Sequence, residues 1–167
     1  GLTLITSNAD AEASGVEIET AWALTDNITL GGSYTHLDAS FVSDAVSGSG
    51  TLAYEGNALP RSPETQYNAF ADVEWSALGG DMTARLQYQW TDEFYFDPSG
   101  SPEVLEDGYG LWSAFASWES STGMRISAYG KNLGDEEYRV HIIKNVGVGF
   151  SVFGPPQEFG VSISQRF

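Results

Sequence analysis

The residues from which catalytic or metal chemistry could be built are few. The histidines are His36 and His141, and there is no cysteine. The two histidines stand too far apart for a local ligand spacing, so rim or solvated histidines are the plain reading and iron or heme capture the sharper one. Serines are frequent, but no G-x-S-x-G elbow places one beside a base. A hydrolase thus has no local signature, and no catalytic residue or cofactor is expected. Asp92, Glu93, Asp97, Glu103, Glu106 and Asp107 crowd one segment without the D-x-[DN]-x-[DN]-G calcium pattern. They read as solvated charge, with divalent bridging to lipopolysaccharide or substrate as the alternative, and no metal site is expected.

The chain has 167 residues with a net charge of −16, which argues against nucleic acid, whose phosphates it would repel. No window is continuously apolar for the length of a membrane helix. Barrel strands escape that test, because half their residues face a lumen. The sequence has neither an initiator Met nor a signal peptide, which reads as a mature product or a fragment.

The elements that must position any site are strands. Residues 157–167 alternate Phe159, Val161, Ile163 and Phe167 against Glu158, Gly160, Ser162, Ser164 and Arg166, with Gln165 as the exception. Such a strand, ending on an aromatic, suits a membrane barrel's girdle better than the edge of a soluble sandwich. Further strands are expected at 2–6, 15–24, 28–41, 65–76, 81–95, 109–118 and 124–131, with 7–14 as a polar turn. In 81–95, Met82, Leu86 and Trp90 oppose Arg85, Gln87 and Gln89. In 109–118, Trp112, Ala114, Ala116 and Trp118 compete with Leu111 and Phe115 for the apolar face. The turns at 25–27, 77–80 and 119–123 are short, and Asp26 and Asn27 suggest left-handed hairpin geometry. The connections at 42–64, 96–108 and 132–156 are long. Eight strands with alternating short and long connections describe an all-β, antiparallel, up-and-down transmembrane barrel segment with periplasmic turns and extracellular loops. A small closed eight-stranded barrel that anchors or adheres is the competing architecture. Arg85, Arg125 and Lys131 would face the lumen and pair with carboxylates on neighbouring strands.

Several motifs resemble those of TonB-dependent outer-membrane receptors. Gly15-Val16-Glu17-Ile18-Glu19 looks like their G-V-E-x-E strand opening, and Leu59-Pro60-Arg61-Ser62-Pro63-Glu64 their L-P-x-x-P entry from an outer loop. Asn132-Leu133-Gly134-Asp135 with Tyr138 resembles N-L-x-D-x-x-Y. Gly154-Pro155-Pro156, Phe159-Gly160 and Arg166-Phe167 resemble the family's ending. Gln157 stands where Arg is usual, and Gln165 where an aromatic is common. The resemblance implies that residues 1–167 form the C-terminal part of a receptor barrel, without its plug domain and earlier strands. It implies an outer-membrane, multi-pass location and energy-coupled uptake of a ferric siderophore or similar large nutrient. Implied partners are outer-membrane lipid, the TonB complex acting through the plug, and the barrel assembly machinery; facing that plug is the alternative to carboxylate pairing for Arg125 and Lys131. The expected ligand-binding residues, at the outer mouth or lumen, are Tyr95, Arg139 and His141. The expected assembly signal is Phe159, Val161, Ile163 and Phe167.

Overall fold

The structure, a computed structural model, describes residues 8–47, 50–145 and 148–166. Its strands in chain order are β1 (Ala11–Thr25), β2 (Ile28–Phe41), β3 (Ala45–Ser47), β4 (Gly50–Leu52), β5 (Thr65–Ala77), β6 (Gly80–Thr91) and β7 (Phe94–Tyr95). They continue as β8 (Leu105–Glu106), β9 (Tyr109–Ser120), β10 (Met124–Lys131), β11 (Arg139–Asn145), β12 (Val148–Phe153) and β13 (Glu158–Gln165). Seven of them form one antiparallel sheet in the order β1-β2-β5-β6-β9-β10-β13. Each long strand pairs with the next long one, which is an up-and-down meander. Its edges are β1 and β13, so the described strands do not close into a small barrel. The expected strand at 2–6 and the terminal Phe167 lie outside the described residues.

Alternation in the sequence becomes two chemically distinct faces because the register is continuous. One row across the sheet joins Trp22, Leu30, Ala71, Leu86, Ala114, Gly130 and Phe159. The adjacent row, on the opposite face, joins Ala23, Thr29, Asp72, Arg85, Phe115, Tyr129 and Gly160. The ambiguity in β9 is thereby resolved. Trp112, Ala114, Ala116 and Trp118 take the apolar face opposite Tyr88, Leu86, Ala84 and Met82, while Leu111 and Phe115 lie on the polar face. Aromatics mark two levels of the apolar face. Tyr67, Tyr88, Trp90 and Trp112 form a contact chain towards the long-loop end, with centroids 4.7–6.4 Å apart. Trp75 and Trp118 lie towards the short-turn end, both in register with Met82. Tyr67 and Trp75 are eight residues apart on one strand, about 27 Å along it and about 20 Å after barrel tilt, close to the height of a membrane barrel's apolar band.

The sheet covers neither of its own faces. The chain exposes 11227 Å², against about 8,000 Å² expected for a compact monomer of this mass. The buried apolar residues among those described are Ala39, Ala45, Phe96 and Val104, all near the long-loop end. Among the described residues no helix is long and apolar enough to cross a membrane, which does not bear on strands.

The three short turns share one end of the sheet, but their geometry differs from the sequence expectation at 25–27. Asp26 and Asn27 keep negative φ; a register shift between Ala23 and Thr25 makes the turn. Asn27 is then pinned across the sheet, its Nδ2 donating to Glu74 O at 2.9 Å. The left-handed pair is instead Leu78 (φ 55) with Gly79 (φ 73), the type I′ arrangement between Ala77 and Gly80. The long connections are not plain loops. Each carries a hairpin of its own: β3–β4, β7–β8 and β11–β12. Residues 11–14, expected in a turn, extend β1 upward against β2, and β6 ends at Thr91 rather than near Tyr95.

Candidate functional site

On the polar face, lysine and arginine side chains are matched to carboxylates where the register permits it. Arg85 grips Asp72 with two bonds of 2.6 Å from Nε and Nη2, and lies 4.5 Å over the Phe70 ring. Lys131 reaches Glu158 at 3.0 Å. Arg125 does not take the strand pairing, the first of its two expected roles. Among the described residues it makes no ion pair, and its Nη2 meets only Ser117 Oγ, at 3.5 Å. It lines an open groove with Asp81, Thr83 and Glu119 at the short-turn end. Phe70, Arg85, Phe115 and Tyr129 form a belt across this face, on the strands β5, β6, β9 and β10.

At the other end the three long connections are knitted together, and there the sequence-expected residues meet. The base of the last connection is built by Asn132. It is buried with φ 47, and its side chain bonds Glu136 N, Glu136 O and Pro155 O. Asp135 accepts from Gln157 N at 3.0 Å, and Gln157 Nε2 donates to Leu133 O at 2.8 Å. Gln157, the departure from the family's usual arginine, thus clips the chain entering β13 to the turn leaving β10. Tyr138 stacks on Tyr109 with centroids 4.5 Å apart, and its ring fills the space where any residue but glycine at 154 would place a Cβ.

From this base β11 sets Arg139 and His141 against the other two connections. Arg139 Nε donates to Glu106 Oε2 at 2.5 Å, its backbone N to Oε1 at 2.8 Å, and its Nη2 to Leu105 O. Glu106 is only 5% exposed, so this is a largely buried pair tying β8 to β11. Tyr95 pairs with Leu105 in the β7–β8 hairpin, and its carbonyl accepts from Arg61 N at 2.8 Å. His141 faces the edge of the Phe96 ring at 6.4 Å, and its Nδ1 receives Arg61 Nη2 at 2.6 Å. Arg61 itself lies 5.4 Å over Phe96. Asn57 adds a bond from the first connection to Pro98 O in the second.

Tyr95, Arg139 and His141 therefore occupy one neighbourhood at the long-loop end. The residues that join them, Arg61, Phe96 and Glu106, are not among the ligand-binding residues expected from sequence. A signal existed for Arg61, a cation between two prolines in the quoted L-P-R-S-P segment. None existed for Glu106, one acid among six in its segment. His36 is elsewhere, on β2, 3.9 Å from Glu64. Much of the acidic segment is used in local structure: Asp92 accepts from Glu93 N, and Asp97 from Ser99 N. Among the described residues no group of three or more His, Cys, Asp or Glu side chains is placed to hold a metal ion. Phe159, Val161 and Ile163 are 67%, 73% and 71% exposed on one face of the edge strand β13.

A meander of this kind, with an aromatic-banded apolar face and loops gathered at one end, defines a barrel wall. The model of the TonB dependent receptor-like β-barrel family matches residues 1–133, and the chain belongs to that family. Among curated proteins it is 28% identical over 135 residues to the ferrichrome outer membrane transporter/phage receptor of Escherichia coli K12, covering 77% of this chain and 17% of that protein. It is 23% identical over 145 residues to the pesticin receptor of Yersinia enterocolitica, covering 84% and 20%. The ferric yersiniabactin uptake receptor FyuA of Yersinia pestis superimposes with a TM-score of 0.79 at 21% identity, over 90% of this chain and 23% of that one. The unliganded ferric citrate transporter FecA gives 0.77 at 17% identity, over 94% and 24%. The chain thus spans about a fifth of the length of the curated relatives it matches. The family is one of receptors and transporters, and the homologues are outer-membrane β-barrel receptors.

Proposed function

We propose that residues 1–167 form the C-terminal wall of a TonB-dependent outer-membrane receptor that takes up a ferric siderophore or similar large nutrient. The observation that carries this reading is the polarity of the sheet. All three tight turns lie at one end, and all three elaborated connections interlock at the other. Energy-coupled uptake needs such an asymmetry, with a ligand-collecting mouth outside and a plain rim inside. The apolar face then meets outer-membrane lipid, and the polar face lines the lumen. Tyr95, Arg139 and His141 belong to the mouth, and no enzyme chemistry is involved. The TonB complex acts through a plug domain that residues 1–167 do not supply. The barrel assembly machinery reads the strand carrying Phe159, Val161, Ile163 and Phe167, whose alternating edge can add to a waiting sheet. Relatives named for ferrichrome, yersiniabactin and ferric citrate support an iron chelate as cargo.

The test uses cells that make the intact receptor. Protease added outside should cut within 42–64, 96–108 or 132–156, and uptake of radioactive iron from a panel of ferric siderophores should stop when TonB is deleted. Cleavage only after outer-membrane permeabilisation would reverse the orientation. Uptake that persists without TonB would reject energy-coupled transport.

A further inference from the structure

The chain carries 23 acidic residues and only 7 lysines and arginines, so a surface arginine should find a carboxylate by default. Arg85, Lys131 and Arg139 do. Arg61 does not. Among the described residues it makes no ion pair, and its guanidinium is directed to the ring nitrogen of His141 at 2.6 Å. Arginine has no acceptor, so His141 Nδ1 must accept and Nε2 must carry the ring proton. Two more features show that this position is held in place. Arg61 has φ 57, a left-handed conformation unusual for a side-chain-bearing residue, and its N–H is fixed to Tyr95 O. Phe96 touches both groups, its ring face under the guanidinium at 5.4 Å and its ring nearly perpendicular to the imidazole at 6.4 Å. Strained backbone of this kind persists only where its surroundings over-determine it, and it concentrates at ligand-holding sites.

We propose that Arg61 and His141 form an oxyanion-receiving site at the junction of the three outer connections. The guanidinium, over the Phe96 ring, offers N–H groups not committed within the described structure, and His141 beside it offers Nε2–H. A planar carboxylate suits such a donor set, since the guanidinium fork matches it in geometry and charge. The oxyanion belongs to a soluble ligand that enters the mouth, rather than to a lipid headgroup. Arg139 is not the cation that reads it, because Glu106 already neutralises its charge in a largely buried pair and Leu105 O takes a further N–H. This inference rests on the mouth assignment in the proposed function.

The experiment needs no knowledge of the natural cargo. The intact receptor in detergent is treated with phenylglyoxal, which modifies free guanidinium groups, and the peptide containing Arg61 is followed by mass spectrometry. Acetate or inorganic phosphate should slow modification of Arg61, by about threefold once the anion reaches twice its dissociation constant. His141→Ala should weaken that protection while Arg61 stays reactive. An unchanged rate with both anions would overturn the site. Protection by lipid A in mixed micelles, with none from acetate or phosphate, would overturn the soluble-ligand assignment. Failure of the wider reading is distinguishable: protection without iron uptake leaves the site with another nutrient, and uptake without protection removes only the site.

Discussion

Leu86 gives the sharpest test of which face meets lipid. It lies on β6 midway between Met82 and Trp90, about 13 Å from each along the strand. Its cross-strand neighbours Ala71 and Ala114 are small, and it is 47% exposed on the apolar face. If that face is in hydrocarbon, an arginine at position 86 sits near the midplane with no polar neighbour in its row. Midplane arginine on a barrel's lipid face costs about 2–4 kcal/mol, roughly a 30- to 900-fold loss in the folding equilibrium. Gln87 is one residue away and points oppositely, between Phe70 and Ser113 on the polar face. An arginine there stays hydrated, with Arg85 nearby as its only like-charged neighbour on that strand, so Gln87→Arg should cost less than about 1 kcal/mol. The measurement is reversible denaturant unfolding of the intact receptor in phospholipid bilayers, comparing Leu86→Arg with Gln87→Arg at unchanged slope. Equal costs, or a greater cost for Gln87→Arg, would refute the facing and the barrel-wall reading with it.

The buried pair offers a second test. Glu106→Gln should lower the stability of the outer connections by about 3 kcal/mol, because it leaves Arg139 charged and partly enclosed. The double variant Glu106→Leu/Arg139→Met should recover much of that loss, with proteolysis rates of residues 92–108 and 132–157 as the readout; a double variant no better than the single one would deny the pairing. Leu78→Asn should stabilise the intact receptor by about 1 kcal/mol, because Leu78 is left-handed and 86% exposed while Asn-Gly suits a type I′ turn. A fall in melting temperature would show that the Leu78 side chain has a contact which outweighs its backbone strain.

How far the sequence could be read depended on which forces leave a local trace. The start of β2 and most of β10 are legible because Ile28, Leu30 and Tyr34 share one face of β2, and Met124, Ile126 and Ala128 one face of β10. Residues 11–14 gave no such trace: Ala11 and Ala13 are small and fall on the face opposite Val16 and Ile18, and pairing with Asp38 to Phe41 makes the segment a strand. In β9 both candidate faces carry aromatics. Register with β6, set by neighbours rather than by β9 itself, decides between them.

The site was harder still, because its defining contacts cross between segments far apart in the chain. The family motifs located 59–64 and 132–138, and each proved to be a local device. Asn132 folds its own turn, while Pro60-Arg61 sets a left-handed kink. No periodicity records that Arg61 meets His141, or that Glu106, among six neighbouring acids, is the one enclosed. Those facts follow from hairpins within the connections. The β7–β8 pair turns Phe96 and Glu106 inward, and β11 brings His141 and Arg139 to them. Arg139 shows why residue type alone misleads. A cation in an outer connection reads as a ligand contact in the sequence, whereas Arg139 commits its charge to the enclosed Glu106. Among the described cations of the outer connections, Arg61 is held by no acid, and the proposed ligand-reading role therefore falls to it rather than to Arg139.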